Sequence, residues 1–467
     1  MCGIVGYSGP KEPLPILING LSRLEYRGYD SAGIAISDGN KITIEKKEGK
    51  LDVLKDHLKN NQMSGNVGIG HTRWATHGIP NDVNAHPHSD NNEEFAIIHN
   101  GIIENYAEIK KDLLNEGFEF KSDTDTEVVA VELSRKWSGE LLKTVVDVAN
   151  SLEGTYALLV TTTKEEGTIV AGRLMSPLVL GVGDDEVFLA SDSAAILEHT
   201  KKMIFLENGD FVEIKNGKYK LFDSDLNEIE REIQEIDWEV SEAEKSGYDH
   251  FMYKEILEQS EVSERTISGR LDTNSDDIPI KSEHASKVEK IWIVACGTAY
   301  HAGLFGKDLF EKVLGVPVSV ELASEFRYRE PIVGKNDLGI VISQSGETMD
   351  TIAATELLKE NGSHVLALVN VVGSSVARMA DSVFYLHVGP EIGVASTKAY
   401  LGMLVSQLVL AKHWDSKNRL DVSFDEIAEL PNLIDKTMAC EDQIKEISEK
   451  IYKKNDIYFI GRGLDYA

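Results

Sequence analysis

The first residues of the chain place a thiol where it could acquire an activating amine. Removal of Met1, which a small second residue permits, would leave Cys2 with a thiol and a free α-amine on one residue. An α-amine with a pKa of about 7.7–8 is partly unprotonated near neutral pH and can take the thiol proton. The thiolate is the reactive form, so Cys2–Gly6 is a candidate nucleophile segment for acyl transfer. Taken alone, a cysteine at position two is more simply explained by chance.

Three further clusters could supply the groups that acyl transfer requires, namely oxyanion donors and charged partners for the substrate. Arg73 follows a predicted strand and suits a bidentate grip on a carboxylate. Asn100 and Gly101 end another predicted strand, where an amide and an N–H group could donate to a developing oxyanion. Asp125 precedes a predicted helix and could accept a substrate ammonium group.

Each of these clusters also has a structural explanation, and sequence alone leaves both open. Arg73 could form a surface salt bridge, His99–Gly101 could be a hairpin turn, and Ser122–Glu127 could be an N-cap with acidic residues at a helix start. The histidines at positions 71, 77, 86, 88 and 99 raise the alternative of a metal site. Without cysteine partners or a helical HExxH pattern, the sequence argues against one.

A second candidate site lies in the second half of the chain. Ser343–Thr348 follows the predicted strand Leu338–Ile342 and precedes a helix beginning near Asp350. Its hydroxyls, its amide and the N–H groups of the helix start converge where an anion is favoured. The segment lacks the lysine of a nucleotide-binding P-loop, so a phosphomonoester fits better than a nucleoside triphosphate. A serine-rich turn that only caps the helix is the alternative, but this is the strand-to-helix turn where such sheets bind ligands.

Two kinds of architecture are needed to position these groups. In the first half, strand-like runs alternate irregularly with helical spacing, which predicts two sheets packed face to face with helices outside. The second half contains strand-like runs, most of them near-continuously apolar, separated by helices, which predicts a doubly wound parallel sheet. Those runs are Ile291–Ala295, Val318–Glu321, Leu338–Ile342 and Val365–Val369. A helical region, Phe424–Tyr452, then precedes a last predicted strand, Ile457–Ile460.

The composition limits the classes of partner. The 467 residues include 48 Lys and Arg against 78 Asp and Glu, a formal charge of −30, which argues against nucleic-acid and anionic-membrane partners. The three cysteines, Cys2, Cys296 and Cys440, are too few and too scattered for a disulfide framework or a zinc site. No run has transmembrane length and no signal peptide is visible, so we expect a cytoplasmic protein without a metal or cofactor.

The motifs together carry a family resemblance. The first half resembles the glutaminase domain of the glutamine–fructose-6-phosphate aminotransferase family, and the match continues in order to Leu464. The motifs that carry it are Cys2–Gly6, Arg23–Ser31, His71–Gly78, Asn84–His88, His99–Asn105 and Thr124–Glu127. The resemblance implies an α/β protein with an N-terminal-nucleophile (Ntn) hydrolase fold, an αββα sandwich, followed by a doubly wound sugar isomerase (SIS) domain.

The same resemblance implies roles for single residues. It makes Cys2 the nucleophile, Asn100 and Gly101 the oxyanion hole, and Trp74 a gate on an internal ammonia path. The residues implied for glutamine binding are Arg73, Thr76 and His77 at the carboxylate and Asp125 at the α-ammonium group. Those implied for fructose 6-phosphate are Thr298, Ser343, Gln344, Ser345, Thr348 and Ser396. Position 299 is alanine where the family often has another serine, Cys296 is expected to be structural, and Lys398 is not the Schiff-base lysine.

The resemblance also implies a domain organisation. We expect a glutaminase domain at 1–238, a linker at 239–250, a first sugar isomerase domain at 251–435 and the beginning of a second, incomplete one at 436–467. On this reading two copies pair through their sugar isomerase domains. The isomerase acid–base residues and the Schiff-base lysine of the family would lie beyond Ala467, so we expect part of the synthase site to be missing from this chain.

The expected function is glutamine-dependent amidotransfer, in which Cys2 releases ammonia from glutamine and the ammonia reacts with fructose 6-phosphate to give glucosamine 6-phosphate. Another amidotransferase, such as a phosphoribosylpyrophosphate amidotransferase or an asparagine synthetase, fits less well, because neither a pyrophosphate loop nor an SGGxDS pattern is present. The remaining alternative is a truncated sugar-phosphate-binding protein with at most residual glutaminase activity.

Overall fold

The structure is a computed structural model that describes residues 2–59, 61, 63–74, 78–236 and 247–466. The chain divides into two compact units, Met1–Ala243 and Glu244–Ala467, which are described separately below. The expected boundaries at 238, 250 and 435 stay predictions. Across the described residues, no helix is long and apolar enough to span a bilayer.

Fifteen strands and five helices form the described part of the first unit. The strands are β1 (Gly3–Ser8), β2 (Ser31–Ser37), β3 (Ile42–Glu48), β4 (Val67–Arg73), β5 (His88–Ser89), β6 (Phe95–Ile103), β7 (Gly154–Thr162), β8 (Thr168–Leu174), β9 (Val179–Val182), β10 (Val187–Ala190), β11 (Lys202–Phe205), β12 (Phe211–Lys215), β13 (Lys218–Phe222), β14 (Glu228–Ile229) and β15 (Gln234–Glu235). The helices are α1 (Pro13–Leu24), α2 (Leu51–Leu58), α3 (Tyr106–Asn115), α4 (Asp125–Arg135) and α5 (Leu141–Ala149).

These elements form a four-layer αββα sandwich. One antiparallel sheet has the order β15-β11-β9-β10-β1-β4-β2-β3, and the other has the order β14-β13-β12-β8-β7-β6-β5. Alternate residues of each strand, such as Ile4 and Ile98, fill the core between the sheets. The intervening residues pack outward: Val5 packs against α1 and α2, and Ile97 packs against α4 and α5. The predicted face-to-face sheets and the Ntn-type fold are thereby confirmed.

The second unit contains eleven helices and five strands in its described part. The helices are α6 (Phe251–Leu257), α7 (Gln259–Ile267), α8 (Ser282–Ala285), α9 (Thr298–Leu314), α10 (Ala323–Phe326), α11 (Met349–Glu360), α12 (Ser375–Met379), α13 (Lys398–Trp414), α14 (Phe424–Ala428), α15 (Leu430–Met438) and α16 (Glu441–Ile451). The strands are β16 (Ile291–Ala295), β17 (Val318–Leu322), β18 (Leu338–Ser343), β19 (His364–Val369) and β20 (Ser382–Tyr385).

The five strands form a doubly wound sheet, as predicted. All neighbours in the order β17-β16-β18-β19-β20 pair in parallel. Ile293 faces a core shared with α9 and α13, whereas its neighbour Val294 faces a core shared with α11 and α12. Burial on both faces explains why the central strands β16, β18 and β19 appear in the sequence as near-continuous apolar runs.

The structure of this unit differs from the sequence predictions in three places. Ile457–Ile460 does not form a strand, because no strand of the described chain lies beside it to exchange hydrogen bonds, and its side chains are exposed. The edge strand β20, which pairs with β19, is not among the predicted strands, since it is only four residues long. The helical spacing of Tyr253–Ile267 predicts one helix, whereas the structure has two, α6 and α7.

Candidate active site

The first site forms where three strands meet at one end of the sandwich. Cys2 immediately precedes β1, Arg73 ends β4 and Asn100 lies in β6. The alternation of each strand places all three residues on the same side as Ile4, Ile69 and Ile98, which fill the core between the two sheets. The register pairs Gly3 with Thr72. The fold thereby brings Arg73 and Asn100, which lie about 70 and about 100 positions after Cys2 in the chain, close to Cys2.

The thiol of Cys2 is held by the main chain of Trp74. The Trp74 N–H donates to Cys2 Sγ at 3.2 Å. Burial raises the pKa of the Cys2 thiol, and the Trp74 N–H and the positive charge of Arg73 act against that rise. A thiol that starts with a raised pKa requires a nearby base to become a nucleophile, which is the function that a free α-amine on the same residue would supply.

Arg73 is a buried cation rather than a surface residue. Its residue is only 4% exposed, and one guanidinium nitrogen donates to Gly78 O at 3.3 Å. Burial lowers the pKa of Arg73, whereas the nearby negative groups Cys2 and Asp125 raise it. A buried guanidinium close to the nucleophile is suited to bind a carboxylate of the substrate.

Asn100 lies inside β6, so the hairpin-turn alternative for His99–Gly101 is wrong. Its Nδ2 donates to Cys2 O at 2.9 Å, and its Oδ1 lies 2.9 Å from Nε2 of His71. The side-chain amide is therefore held at both ends beside the nucleophile, and its NH2 group points toward Cys2. Such a group can donate to an oxyanion that forms on a substrate bound to the thiol.

Gly101 requires glycine for two reasons. Its φ of +132° lies in a region that side chains disfavour, and a Cβ would lie 2.0 Å from Thr155 O of the neighbouring strand β7. The residue is exposed, immediately after Asn100. The backbone at the predicted oxyanion hole is thus fixed by a contact that any side chain would break.

Asp125 begins α4, and the N-cap explanation of its segment is also correct. Thr124 is the N-cap and accepts from Glu127 N, and Asp125 Oδ2 accepts from Ile103 N at 2.9 Å. This contact joins the helix start to the end of β6 and holds the carboxylate in place. Asp125 Oδ2 also lies 4.0 Å from Nδ1 of His99.

Of the other residues expected around glutamine, the structure describes Trp74 only. Trp74 is 42% exposed, and its ring makes an edge-to-face contact with Tyr29 at 5.3 Å between centroids. Thr76 and His77 lie outside the described residues. Among those that the structure describes, no group of three His, Cys, Asp or Glu is arranged to hold a metal ion.

One residue that the sequence reasoning missed is His71, which contacts Asn100. The signal was available, because His71 and Arg73 are two positions apart on one strand and must share a face. Four of the histidines that raised the metal alternative, namely His71, His86, His88 and His99, are buried, and burial lowers their pKa values.

The second candidate site lies at the carboxyl ends of β16 and β18. Ser343 ends β18, and its Oγ accepts from Gly346 N at 2.9 Å. Ser345 Oγ accepts from Glu347 N at 3.1 Å, and Thr348 precedes α11 as its N-cap residue without a side-chain capping bond. The turn therefore places hydroxyl groups at the positive end of a twelve-residue helix.

Of the remaining predicted sugar residues, Gln344 lies in the same turn and Thr298 follows the neighbouring strand β16. Thr298 begins α9, directly after Gly297, whose φ is +55°. The Gln344 main-chain O accepts from Asn370 N at 3.2 Å. Cys296 is half-buried, and Thr351 Oγ1 donates to its sulfur at 3.8 Å, which is compatible with the structural role expected for it.

Two carboxylates near this site were not singled out from the sequence. Glu347 accepts from Ser375 N at 2.6 Å and Ser375 Oγ at 2.9 Å. Glu391 accepts from Ser396 Oγ at 3.0 Å and from Thr397 N at 2.9 Å, at the start of α13. Lys398, which follows, is 1% exposed and its Nζ contacts Glu258 Oε2 at 2.7 Å.

Comparison with known proteins agrees with both units. The glutamine amidotransferase domain family matches residues 56–240, and the SIS domain family matches residues 285–412. Together with the αββα sandwich and the doubly wound sheet, these matches define the class: an Ntn-type glutamine amidotransferase that carries a SIS domain. Among curated proteins, glutamine–fructose-6-phosphate aminotransferase (isomerizing) of Clostridium tetani is 47% identical over 477 residues, covering 100% of this chain and 78% of that protein. The chain belongs to the glutamine–fructose-6-phosphate aminotransferase family.

Similar proteins are also found in archaea, and some proteins similar to this chain have solved structures. The protein of the same name from Pyrococcus horikoshii is 45% identical, covering 100% of this chain and 78% of that one. The C-terminal domain of glucosamine-fructose-6-phosphate aminotransferase from Francisella tularensis aligns with a TM-score of 0.42 and 38% identity over 48% of this chain and 66% of that one. A glutamine phosphoribosylpyrophosphate amidotransferase from B. subtilis aligns with a TM-score of 0.44 and 18% identity, covering 91% and 100% respectively.

Proposed function

We propose that this chain hydrolyses glutamine at Cys2 and delivers the ammonia to fructose 6-phosphate, which yields glucosamine 6-phosphate. The observation that carries the proposal is the Asn100 amide, whose Nδ2 lies 2.9 Å from Cys2 O, next to the thiol held by Trp74. These contacts support the proposal that an oxyanion donor and a nucleophile act on one substrate carbonyl. The family membership supplies the two substrates.

The first half-reaction uses the chain's own groups. With Met1 removed, the α-amine of Cys2 takes the thiol proton, and the sulfur forms a bond to the side-chain amide carbon of glutamine. The negative oxygen of the tetrahedral intermediate accepts from Asn100 Nδ2 and the Gly101 N–H. The proton passes to the leaving nitrogen, ammonia departs, and water then cleaves the thioester to give glutamate and the free thiol.

Recognition of glutamine follows from the charges around Cys2. Arg73 binds the α-carboxylate and Asp125 binds the α-ammonium group, so the side-chain amide is directed to the sulfur. Thr76 and His77 complete the carboxylate site in this proposal, and Trp74 separates the thiol from the ammonia path. Support for Trp74 comes from its main-chain contact with Cys2 and its exposed ring.

The sugar phosphate binds in the second unit. Support comes from the hydroxyl-bearing turn at the start of α11 and from Ser396, whose hydroxyl is oriented by Glu391. The residues proposed to hold fructose 6-phosphate are Thr298, Ser343, Gln344, Ser345, Thr348 and Ser396. We further propose a cytoplasmic homodimer that pairs through the sugar isomerase domains. The three free cysteines support a reducing location, and light scattering would test the dimer.

A cysteine substitution tests the proposal directly. Cys2→Ala should abolish the release of glutamate from glutamine, whereas Cys296→Ala, which removes a thiol in the other unit, should leave it unchanged. Intact mass should show that the active chain lacks Met1. Glutamate release by a folded Cys2→Ala protein would refute the nucleophile assignment. Binding of fructose 6-phosphate without any glutaminase activity in the parent would favour a sugar-phosphate-binding protein.

A further inference from the structure

His71 is placed to control the direction of the Asn100 amide. It is fully buried on β4, two residues before Arg73. Its Nε2 lies 2.9 Å from Asn100 Oδ1 and 3.2 Å from His99 O. Both of these partners are acceptors, so Nε2 must carry the hydrogen. Nδ1 has no hydrogen-bond partner among the described residues and is therefore the unprotonated nitrogen.

The imidazole acts as a neutral donor. Burial lowers the pKa of His71 to about 3, so it carries no charge at the pH at which a glutaminase works. The orientation of the ring is fixed by its neighbours. His86 packs against it with 4.2 Å between ring centroids, and Lys46 Nζ holds the carbonyl oxygens on either side of His86, those of Ala85 at 2.7 Å and Pro87 at 3.1 Å.

The consequence for Asn100 follows from the two ends of its amide. In the observed orientation, Oδ1 accepts from His71 while Nδ2 donates to Cys2 O. In the flipped orientation, the amide NH2 group would face the Nε2–H donor of His71, and the amide oxygen would face the carbonyl oxygen of Cys2. Both of these contacts would be unfavourable. It would also direct a carbonyl oxygen toward the developing negative charge.

We propose that His71 is a positioning residue for glutamine hydrolysis, which fixes the Asn100 amide with its NH2 group toward the oxyanion. This inference deepens the proposed function and rests on the assignment of Asn100 to the oxyanion hole. His71 does not touch the substrate. His71 acts by disfavouring the flipped orientation of the Asn100 amide, in which a carbonyl oxygen would face the oxyanion.

Substitutions at both positions of the full chain test the proposal. Removing an oxyanion donor costs about 10²–10³-fold in kcat, so His71→Leu should lower kcat for glutamine hydrolysis by about 10²-fold at a KM changed less than about threefold. His71→Gln places an amide NH2 near the position of Nε2 and should recover most of the loss. Should His71→Leu fail to fold, His71→Asn replaces it, because its shorter amide cannot reach Asn100.

The double substitution separates positioning from general damage. In an Asn100→Ala background, His71→Leu should cause little further loss of kcat, because no amide remains to be oriented. A full additional loss in that background, or an unchanged kcat in the single variant, would overturn the proposal. If Asn100→Ala itself keeps the parent kcat, the oxyanion assignment fails first and the inference fails with it.

Discussion

Replacing Gly101 by alanine should disable the site through the backbone alone. A Cβ at this position would lie 2.0 Å from Thr155 O, although real Cβ contacts are essentially never shorter than 3.0 Å. Because the obstacle is backbone rather than a flexible side chain, β6 and β7 must separate by about 1 Å at Gly101. A displacement of that size at a reacting group costs about 10²-fold in rate, or roughly 2.7 kcal/mol of transition-state stabilisation.

The assay is the initial rate of glutamate release by Gly101→Ala, together with its thermal unfolding curve. Strain at this φ should also cost about 1–3 kcal/mol of stability. Gly117→Ala is the matched control, because Gly117 also has a positive φ, +93°, but a Cβ there has no heavy atom within 4 Å. We expect the control to lose about 1 kcal/mol of stability and to keep the parent kcat.

The comparison of these two variants can refute the reasoning. A folded Gly101→Ala protein with kcat within about threefold of the parent would show that β6 tolerates the side chain without moving the oxyanion donors. Equal losses of kcat in both variants would attribute the effect to backbone strain in general rather than to the contact with Thr155.

Three further predictions concern charge. Burial lowers the pKa of His71 to about 3, against about 6.5 in an unfolded chain, so between those values only the unfolded chain binds this proton. As the pH drops from about 6.5 toward 3, His71 alone should therefore lower the free energy of unfolding by about 1.4 kcal/mol per pH unit, and the other buried histidines should add to this fall. Urea unfolding at pH 7.5 and 5.5 should show a shallower dependence for His71→Gln, and an equal one would contradict the burial argument. Arg73→Lys replaces a bidentate donor by a point charge and should raise KM for glutamine about 10-fold with a smaller change in kcat; an unchanged KM in steady-state kinetics would remove Arg73 from the carboxylate site. Glu347→Gln replaces one of the two carboxylate oxygens that accept from Ser375 by an NH2 donor. It should weaken fructose 6-phosphate binding about 10-fold, measured by calorimetry, while glutaminase activity is kept. An unchanged affinity would show that Glu347 does not support the sugar site.

Residue type and local pattern were sufficient for much of the fold and for the candidate chemistry. The strand patterns predicted four of the five parallel strands, three of them as apolar runs, because strands buried on both faces are mostly apolar. The family resemblance supplied the αββα sandwich. Local pattern failed at Ile457–Ile460, since forming a strand depends on a neighbouring strand as well as on propensity.

The geometry of the site depends on strand pairing that no local pattern contains. Cys2 meets Trp74 only because β1 pairs with β4, and it meets Asn100 only because the two sheets stack. The alternation within β4 could have indicated that His71 faces the same way as Arg73, but not that an asparagine from the other sheet lies opposite. Such long-range contacts are set by the complete core.

The position of β1 inside its sheet has a consequence for protein synthesis. β1 lies between β4 and β10, and its second partner ends at Ala190, so the ribosome must translate most of the first unit before β1 can be enclosed. At about 5–20 residues per second, this leaves the N-terminus uncovered for about 10–40 s. Methionine aminopeptidase therefore has its opportunity on the nascent chain. Whether Cys2 has a free α-amine is therefore determined during translation, before folding encloses β1.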